Sequence, residues 1–131
     1  MRRYIFVGIG AFCGAWARYG AGILFPLEAA AFPFRTMTVN LLGSFVLAFF
    51  LTAVLEVSRL DPDLRLGVSS GFLGAFTTFS AFCKEAVLLM ETGHVLRALV
   101  YMILSAALGL VLAWLGVSLG RRLHKKEGAR Q

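Results

Sequence analysis

The chain has 131 residues, 59% of them hydrophobic and 15% charged, with a formal net charge of +6. Soluble domains run at about 45–50% apolar and about 25% charged, and so small a domain has too much surface for its volume to hide that excess. A soluble globular enzyme is therefore excluded as the default. Five of the basic residues, Arg121, Arg122, Lys125, Lys126 and Arg130, form a short tail of the kind that faces anionic lipid, which argues against nucleic acid as the partner.

The apolar residues fall into four stretches. The first, Tyr4 to Phe25, is interrupted only by Arg18. It follows Met1-Arg2-Arg3 and contains Ala15-Trp16-Ala17, which imitates a signal peptide with its cleavage site. Arg18 follows at once, and the apolar sequence then resumes, so the segment reads as a span. The next charge-free runs are 20 residues between Arg35 and Glu56, 18 between Arg65 and Lys84, and 23 between Arg97 and Arg121. A bilayer core takes about 20 apolar residues per helix. Four spans are predicted, near 4–25, 35–56, 66–91 and 97–119, forming one all-α integral membrane domain over 1–120, with a basic tail at 121–131. Pro26 and Pro33 stop helices in the first loop, and Ser58, Asp61, Pro62 and Asp63 do so in the second. Glu91-Thr92-Gly93-His94 makes the third turn. His94 and His124 read as solvated side chains, and Cys13 and Cys83 as small packing residues within spans.

Nine Lys and Arg residues lie on the side of the termini and second loop, against Arg35 and Arg97 on the other. The positive-inside rule then places the termini in the cytoplasm, although much of the bias comes from the tail.

Polar groups within spans are costly, which makes them functional candidates. Thr36, Asn40 and Ser44 recur every four residues on one face of the second span. Hydroxyls there serve helix–helix hydrogen bonding as readily as function. Asn40 stands apart, because a mid-span carboxamide brings two donors and an acceptor that need partners. Gly43 beside it permits close helix approach. On the fourth span, Tyr101 and Ser105 are also four apart, but a helical hydroxyl ordinarily bonds back to its own backbone and a tyrosine near a span end ordinarily anchors at the membrane interface. Gly109 and Gly116 there read as packing positions. The third span carries the densest signal, Gly71-Phe72-Leu73-Gly74-Ala75-Phe76-Thr77-Thr78-Phe79-Ser80-Ala81-Phe82. Poor helix formers and competing hydroxyls, Thr77, Thr78 and Ser80, predict a break near the middle of that helix. Carbonyls freed at such a break can coordinate a cation such as Na⁺. Phe76, Phe79 and Phe82 recur every three residues; such a stripe is ordinarily packing, but a ring presented edge-on favours an anion. Arg18 lies too deep for easy snorkelling, so a cavity or a buried partner is expected for it. Lys84 and Glu85 follow the motif as adjacent opposite charges.

Gly10, Gly14-Ala15 and Arg18-Tyr19, then Asn40-Leu41-Leu42-Gly43-Ser44-Phe45, then Gly71-Phe72-Leu73-Gly74 running into Thr77-Thr78-Phe79-Ser80-Ala81-Phe82, resemble the Fluc (CrcB-type) fluoride channels. The resemblance covers all four spans in order. Ala11 stands where many members have a second glycine, and Ala81 where a hydroxyl residue is common. The resemblance implies a passive fluoride-selective channel in the cell inner (plasma) membrane that relieves fluoride toxicity. It further implies an antiparallel, dual-topology homodimer with a structural Na⁺ at its centre. By position, the Gly74 and Thr77 carbonyls correspond to the Na⁺ ligands, and Phe79 and Phe82 to the aromatic pair along the fluoride path. Asn40, Tyr101 and Ser105 match polar pore-lining positions, Arg18 matches the family arginine, and Thr78 and Ser80 belong to the same third-span motif. The 9 to 2 charge bias sits uneasily with dual topology.

The rival reading is a small multidrug-type, proton-coupled exporter, which is similar in size and also uses antiparallel dimers. It needs a carboxylate within the bundle, and the first span has Arg18 instead. A membrane enzyme would have only the scattered Glu56, Glu85 and Glu91. A purely structural subunit leaves the third-span cluster without a purpose.

Overall fold

The computed structural model describes residues 1–24, 32–57 and 60–128. The elements are helices α1 (Arg2–Leu24), α2 (Phe34–Val57) and α3 (Pro62–Leu66), a π-helical segment (Gly67–Leu73), and helices α4 (Gly74–Phe76), α5 (Phe79–Glu91) and α6 (Val95–Gly128). Among the described residues there is no strand. Phe34–Ala53, Pro62–Glu91 and Val95–Arg122 are long and apolar enough to cross a membrane. At 23 residues, α1 reaches about 34 Å, enough for a bilayer core of about 30 Å. Arg18 and the glycines of α1 keep it from matching the hydropathy of the other three, so its expected role as a span rests on its length.

Local chemistry sets the helix ends. Asp61 caps α3, its carboxylate accepting the Asp63 amide at 2.8 Å, and Pro62 occupies the first turn. The third helical stretch accordingly starts at Pro62, four residues before the expected position. At its far end Gly93 adopts φ 81°, the left-handed conformation that glycine enters without strain. The amides of Gly93 and His94 then turn back to the carbonyls of Met90 and Leu89 at 3.1 and 2.8 Å, which closes α5 in the predicted turn. The fourth stretch runs past its expected end at 119, and α6 continues to Gly128. Pro26, and the side chains of His124, Lys125, Lys126 and Arg130, lie outside the described residues.

The helices associate as two pairs. Helix α1 packs along the π segment and α4, while α2 lies along α6, which also meets α5. Small residues make both approaches possible. A Cβ on Gly10 or Gly14 would strike the backbone carbonyl of Gly67 or Phe72, and one on Gly71 would meet the Val7 carbonyl at 2.6 Å. In the second pair, a Cβ on Gly116 would lie 2.5 Å from the Phe45 carbonyl. Gly109, also expected as a packing position, would meet only Leu41 at an ordinary 3.9 Å. At one end of the bundle, Arg2 bonds Asp61 and Arg3 bonds Asp63, each at 3.1 Å. Helix α1 and the third stretch are thereby fastened side by side, running in the same direction. The Asp63 amide hydrogen bond, helped by nearby Arg2, holds the Asp61 carboxyl below its ordinary value.

The buried apolar core is small: Val39, Leu73, Ala86, Ala98 and Tyr101 among the described residues. Ile5, Ile9, Phe12, Trp16, Tyr19 and Ile23 form an outward stripe on α1, each more than half exposed. So much exposed apolar surface suits lipid or another apolar protein face and not water.

Candidate functional site

The expected break in the third span is present. Thr77 and Thr78 are extended, with φ/ψ of −77°/159° and −148°/119°, between the end of α4 and the start of α5. Both threonines stabilise the chain around the gap. The Thr77 amide and hydroxyl donate to the Leu73 carbonyl at 3.0 and 2.9 Å, finishing the first half-helix. The Thr78 hydroxyl accepts the Ala81 amide at 3.2 Å and so caps the second half-helix. Ser80 Oγ lies 3.3 Å from Thr78 Oγ1.

Asn40 of α2 grips the gap from the side. Its Oδ1 accepts the Thr78 amide at 2.8 Å, and its Nδ2 donates to the Thr78 carbonyl at 2.9 Å. One N–H of this carboxamide is left for another partner. Ser44 bonds back to the Asn40 carbonyl at 2.9 Å, as helical hydroxyls commonly do. Gly43 receives the Thr77 methyl, which a side chain there would displace. Asn40, Gly43, Ser44, Leu47, Thr77, Thr78 and Phe79 line an open recess of about 230 Å³.

The break also changes the fate of two carbonyls. In an uninterrupted α-helix each N–H donates to the carbonyl four residues earlier. That rule assigns the Thr78 amide to Gly74 and the Ala81 amide to Thr77. Here the first goes to Asn40 and the second to the Thr78 hydroxyl. Among the described residues, Gly74 and Thr77 are therefore left without those usual donors. They are the two carbonyls that the family resemblance marks.

A second polar group lies deeper. Glu85 of α5 accepts hydrogen bonds at both carboxylate oxygens, from the Thr36 hydroxyl at 2.6 Å and the Tyr101 hydroxyl at 2.8 Å. Tyr101 is fully buried and Thr36 nearly so. Three helices thus converge on one carboxylate. The sequence shows Glu85 only as half of a charged pair, because the two hydroxyls that define it lie 49 and 16 residues away. The periodicity of Thr36 with Asn40, together with a tyrosine in the fourth span, is the signal that pointed to this face.

Aromatic rings connect the exposed gap to that carboxylate. Phe79, 76% exposed, lies against Phe82 with centroids 5.8 Å apart, and Phe82 lies 5.0 Å from Tyr101 at 45°. Ser105 is one turn beyond Tyr101 on α6, and its hydroxyl is buried with no hydrogen-bond partner among the described residues. The structure therefore brings together Phe79, Phe82 and Tyr101, with Asn40, Thr78 and Ser80 beside the ladder's outer end and Ser105 one helical turn from Tyr101. Phe76 does not join the expected stripe. It stacks on Phe72 at 6.2 Å, because two extended residues shift the helical phase between Phe76 and Phe79. Arg18 stands apart on α1, half-exposed and without an ion-pair partner among the described residues. The buried partner expected for it is not among them. Arg35 lays its guanidinium on Gly22, one turn further along α1.

A family model described as CrcB-like protein, Camphor Resistance (CrcB), matches residues 5–117. The chain belongs to the CrcB family. Every residue of the break, the Asn40 clamp and the aromatic ladder lies inside the matched range. Among similar CrcB relatives is a protein of Desulfitobacterium hafniense named fluoride-specific ion channel FluC 1. It is 40% identical over 112 residues, covering 86% of this chain and 97% of its own. A protein of the same name from Moorella thermoacetica is 40% identical over 119 residues, or 90% of this chain and 85% of its own. The fluoride-specific ion channel FluC of Chlorobaculum tepidum is 40% identical over 121 residues, or 92% of this chain and 96% of its own. All three names describe ion channels and not enzymes.

Proposed function

We propose that this CrcB chain is a fluoride-selective channel that lets fluoride leave the cell passively across the plasma membrane, relieving its toxicity. The relatives named for fluoride supply the ion. The observation that carries the reading in this chain is the Phe79–Phe82–Tyr101 ladder, which leads inward from an exposed helix break; one turn from Tyr101 on α6, the Ser105 hydroxyl is buried and unpartnered among the described residues. An anion entering low dielectric must exchange its water for donors. The remaining N–H of Asn40 and the hydroxyls of Thr78, Ser80 and Ser105 are donors of the right kind, and ring edges add positive potential between them, while the Tyr101 phenol already spends its one proton on Glu85. Arg18 and Arg35 on the flanking helices contribute further positive potential.

Two chains in opposite orientations form the channel in this proposal, and a structural Na⁺ is held where the breaks of the two third helices meet. The Gly74 and Thr77 carbonyls fit that ion, being hard oxygens relieved of their helical donors, with no carboxylate of the sort divalent cations recruit. Bound there, the ion supplies a fixed positive charge near the anion path.

Glu85 gives the second reading its one specific support. Proton-coupled export needs an intramembrane carboxylate, and Glu85 is one. Both of its oxygens already accept hydroxyl donors, which suits a fixed structural acceptor better than a group that exchanges cationic cargo.

Purified protein in liposomes loaded with fluoride or chloride separates the two, read with ion-selective electrodes and without a pH gradient. Fast fluoride efflux with chloride retained is expected. Equal permeation of both ions, permeation of neither, or transport that requires a proton gradient would overturn the channel proposal.

A further inference from the structure

The Thr78 amide has two competing acceptors. One is the Gly74 carbonyl of its own helix, four residues back, and the other is Asn40 Oδ1 on α2. An amide left unbonded inside a membrane costs several kcal/mol, so it takes one or the other. When Asn40 holds it, the Gly74 carbonyl is released. The same carboxamide holds the Thr78 carbonyl through Nδ2, which keeps residue 78 extended and outside the helical register. Gly43, one turn further along α2, lets the Thr77 methyl seat closely enough for the clamp to reach. The Thr77 carbonyl is freed separately, by the Thr78 hydroxyl taking the Ala81 amide.

We propose that Asn40 is the positioning residue of the cation site: by diverting the Thr78 amide it keeps the Gly74 carbonyl available as a ligand, without touching the ion itself. The inference rests on the proposed sodium at Gly74 and Thr77. It assigns Asn40 a task separate from facing the anion. Without the clamp, the Thr78 amide returns to Gly74, the first half-helix lengthens by one bond, and each chain loses one of its two ligands. A carboxylate at position 40 still accepts the Thr78 amide but no longer donates to the Thr78 carbonyl or to a passing anion. The two tasks of Asn40 are therefore separable by mutation.

The test uses the full-length protein purified without Na⁺, in N-methylglucamine buffer, as wild type, Asn40→Leu and Asn40→Asp. The thermal unfolding midpoint is followed while Na⁺ is titrated in, and fluoride efflux is measured on the same preparations. Wild type should gain stability with Na⁺. Asn40→Leu should need at least about tenfold more Na⁺, since a lost ligand and a recovered helical bond together exceed one typical net hydrogen bond. Asn40→Asp should keep a Na⁺ response, its midpoint shifted by less than about tenfold, while losing fluoride efflux, because it keeps the bond to the Thr78 amide and loses only the one to the Thr78 carbonyl. A wild-type response with an unchanged midpoint in Asn40→Leu would overturn the positioning role and leave the sodium in place. A wild type indifferent to Na⁺ would remove the sodium itself. If Asn40→Leu does not fold, Asn40→Ala, which removes the same acceptor, decides: a midpoint raised at least about tenfold supports the inference, and an unchanged one overturns it.

Discussion

Replacing Phe82 with isoleucine tests whether the aromatic ladder conducts or merely packs. Isoleucine keeps apolar bulk but removes the ring and its quadrupole. Phe82 has ring neighbours on both sides, Phe79 at 5.8 Å and Tyr101 at 5.0 Å. Each such pair is worth about 0.5–1.5 kcal/mol beyond area burial, so Phe82→Ile should destabilise the protein by about 1–3 kcal/mol. Phe79 pairs with Phe82 alone in this group and is largely exposed, so Phe79→Ile should cost about half as much. Conduction should not follow that ranking. If both rings present their edges to fluoride, each substitution removes stabilisation of the moving ion, and a loss of about 1.4 kcal/mol at the barrier slows efflux about tenfold. The assay is fluoride efflux from liposomes, with the unfolding midpoint and gel-filtration elution of each variant measured alongside. Phe12→Ile, an exposed ring on α1 remote from the ladder, is the control and should conduct normally. Efflux within about threefold of wild type in both ladder variants, a barrier change under about 1 kcal/mol, would refute the reasoning and leave the rings as packing.

Asn40→Asp should abolish fluoride efflux while gel filtration still shows the wild-type assembly; a lost assembly with normal efflux per folded particle would make Asn40 a helix–helix contact only. Gly14→Ala should destabilise by about 1–3 kcal/mol, because its Cβ would meet the Phe72 carbonyl and force α1 away from the π segment. Gly8→Ala, with nothing within 4 Å of the new Cβ, should be neutral or stabilising by up to about 1 kcal/mol, and comparing the two unfolding midpoints checks the pair. The Asp61 carboxyl is held below its ordinary value in the folded chain. Its contribution is therefore complete at pH above the ordinary aspartate range and is lost as pH falls through the depressed value. Asp61→Asn should flatten the unfolding midpoint against pH in that acid window and leave its slope near pH 7 unchanged.

The four apolar stretches, the closing turn at Gly93 and the interruption at Thr77-Thr78 were all legible in the sequence. Each follows from rules acting over a few residues: charge-free length against bilayer thickness, a glycine able to take φ 81°, and hydroxyls that compete with the helical ladder. The start of α3 at Pro62 was legible too, in the Asp61-Pro62 cap, although span length alone placed it four residues late. Only the tertiary structure decided which acceptor took the Thr78 amide, because Asn40 is 38 residues away and its reach depends on how α2 is rotated and how closely Gly43 lets it approach. The same holds for Glu85, in the sequence only one of two adjacent opposite charges, which Thr36 and Tyr101 meet from two other helices. The phenylalanine period of three was visible, yet its division into Phe72–Phe76 and Phe79–Phe82 was not. Periodicity predicts which face of a helix a residue occupies only while the helix continues, and two extended residues erase that phase. Local propensity could open the helix at the threonines. What the opened backbone then bonds to is a matter of the depth, rotation and spacing of neighbouring helices, which no local pattern encodes.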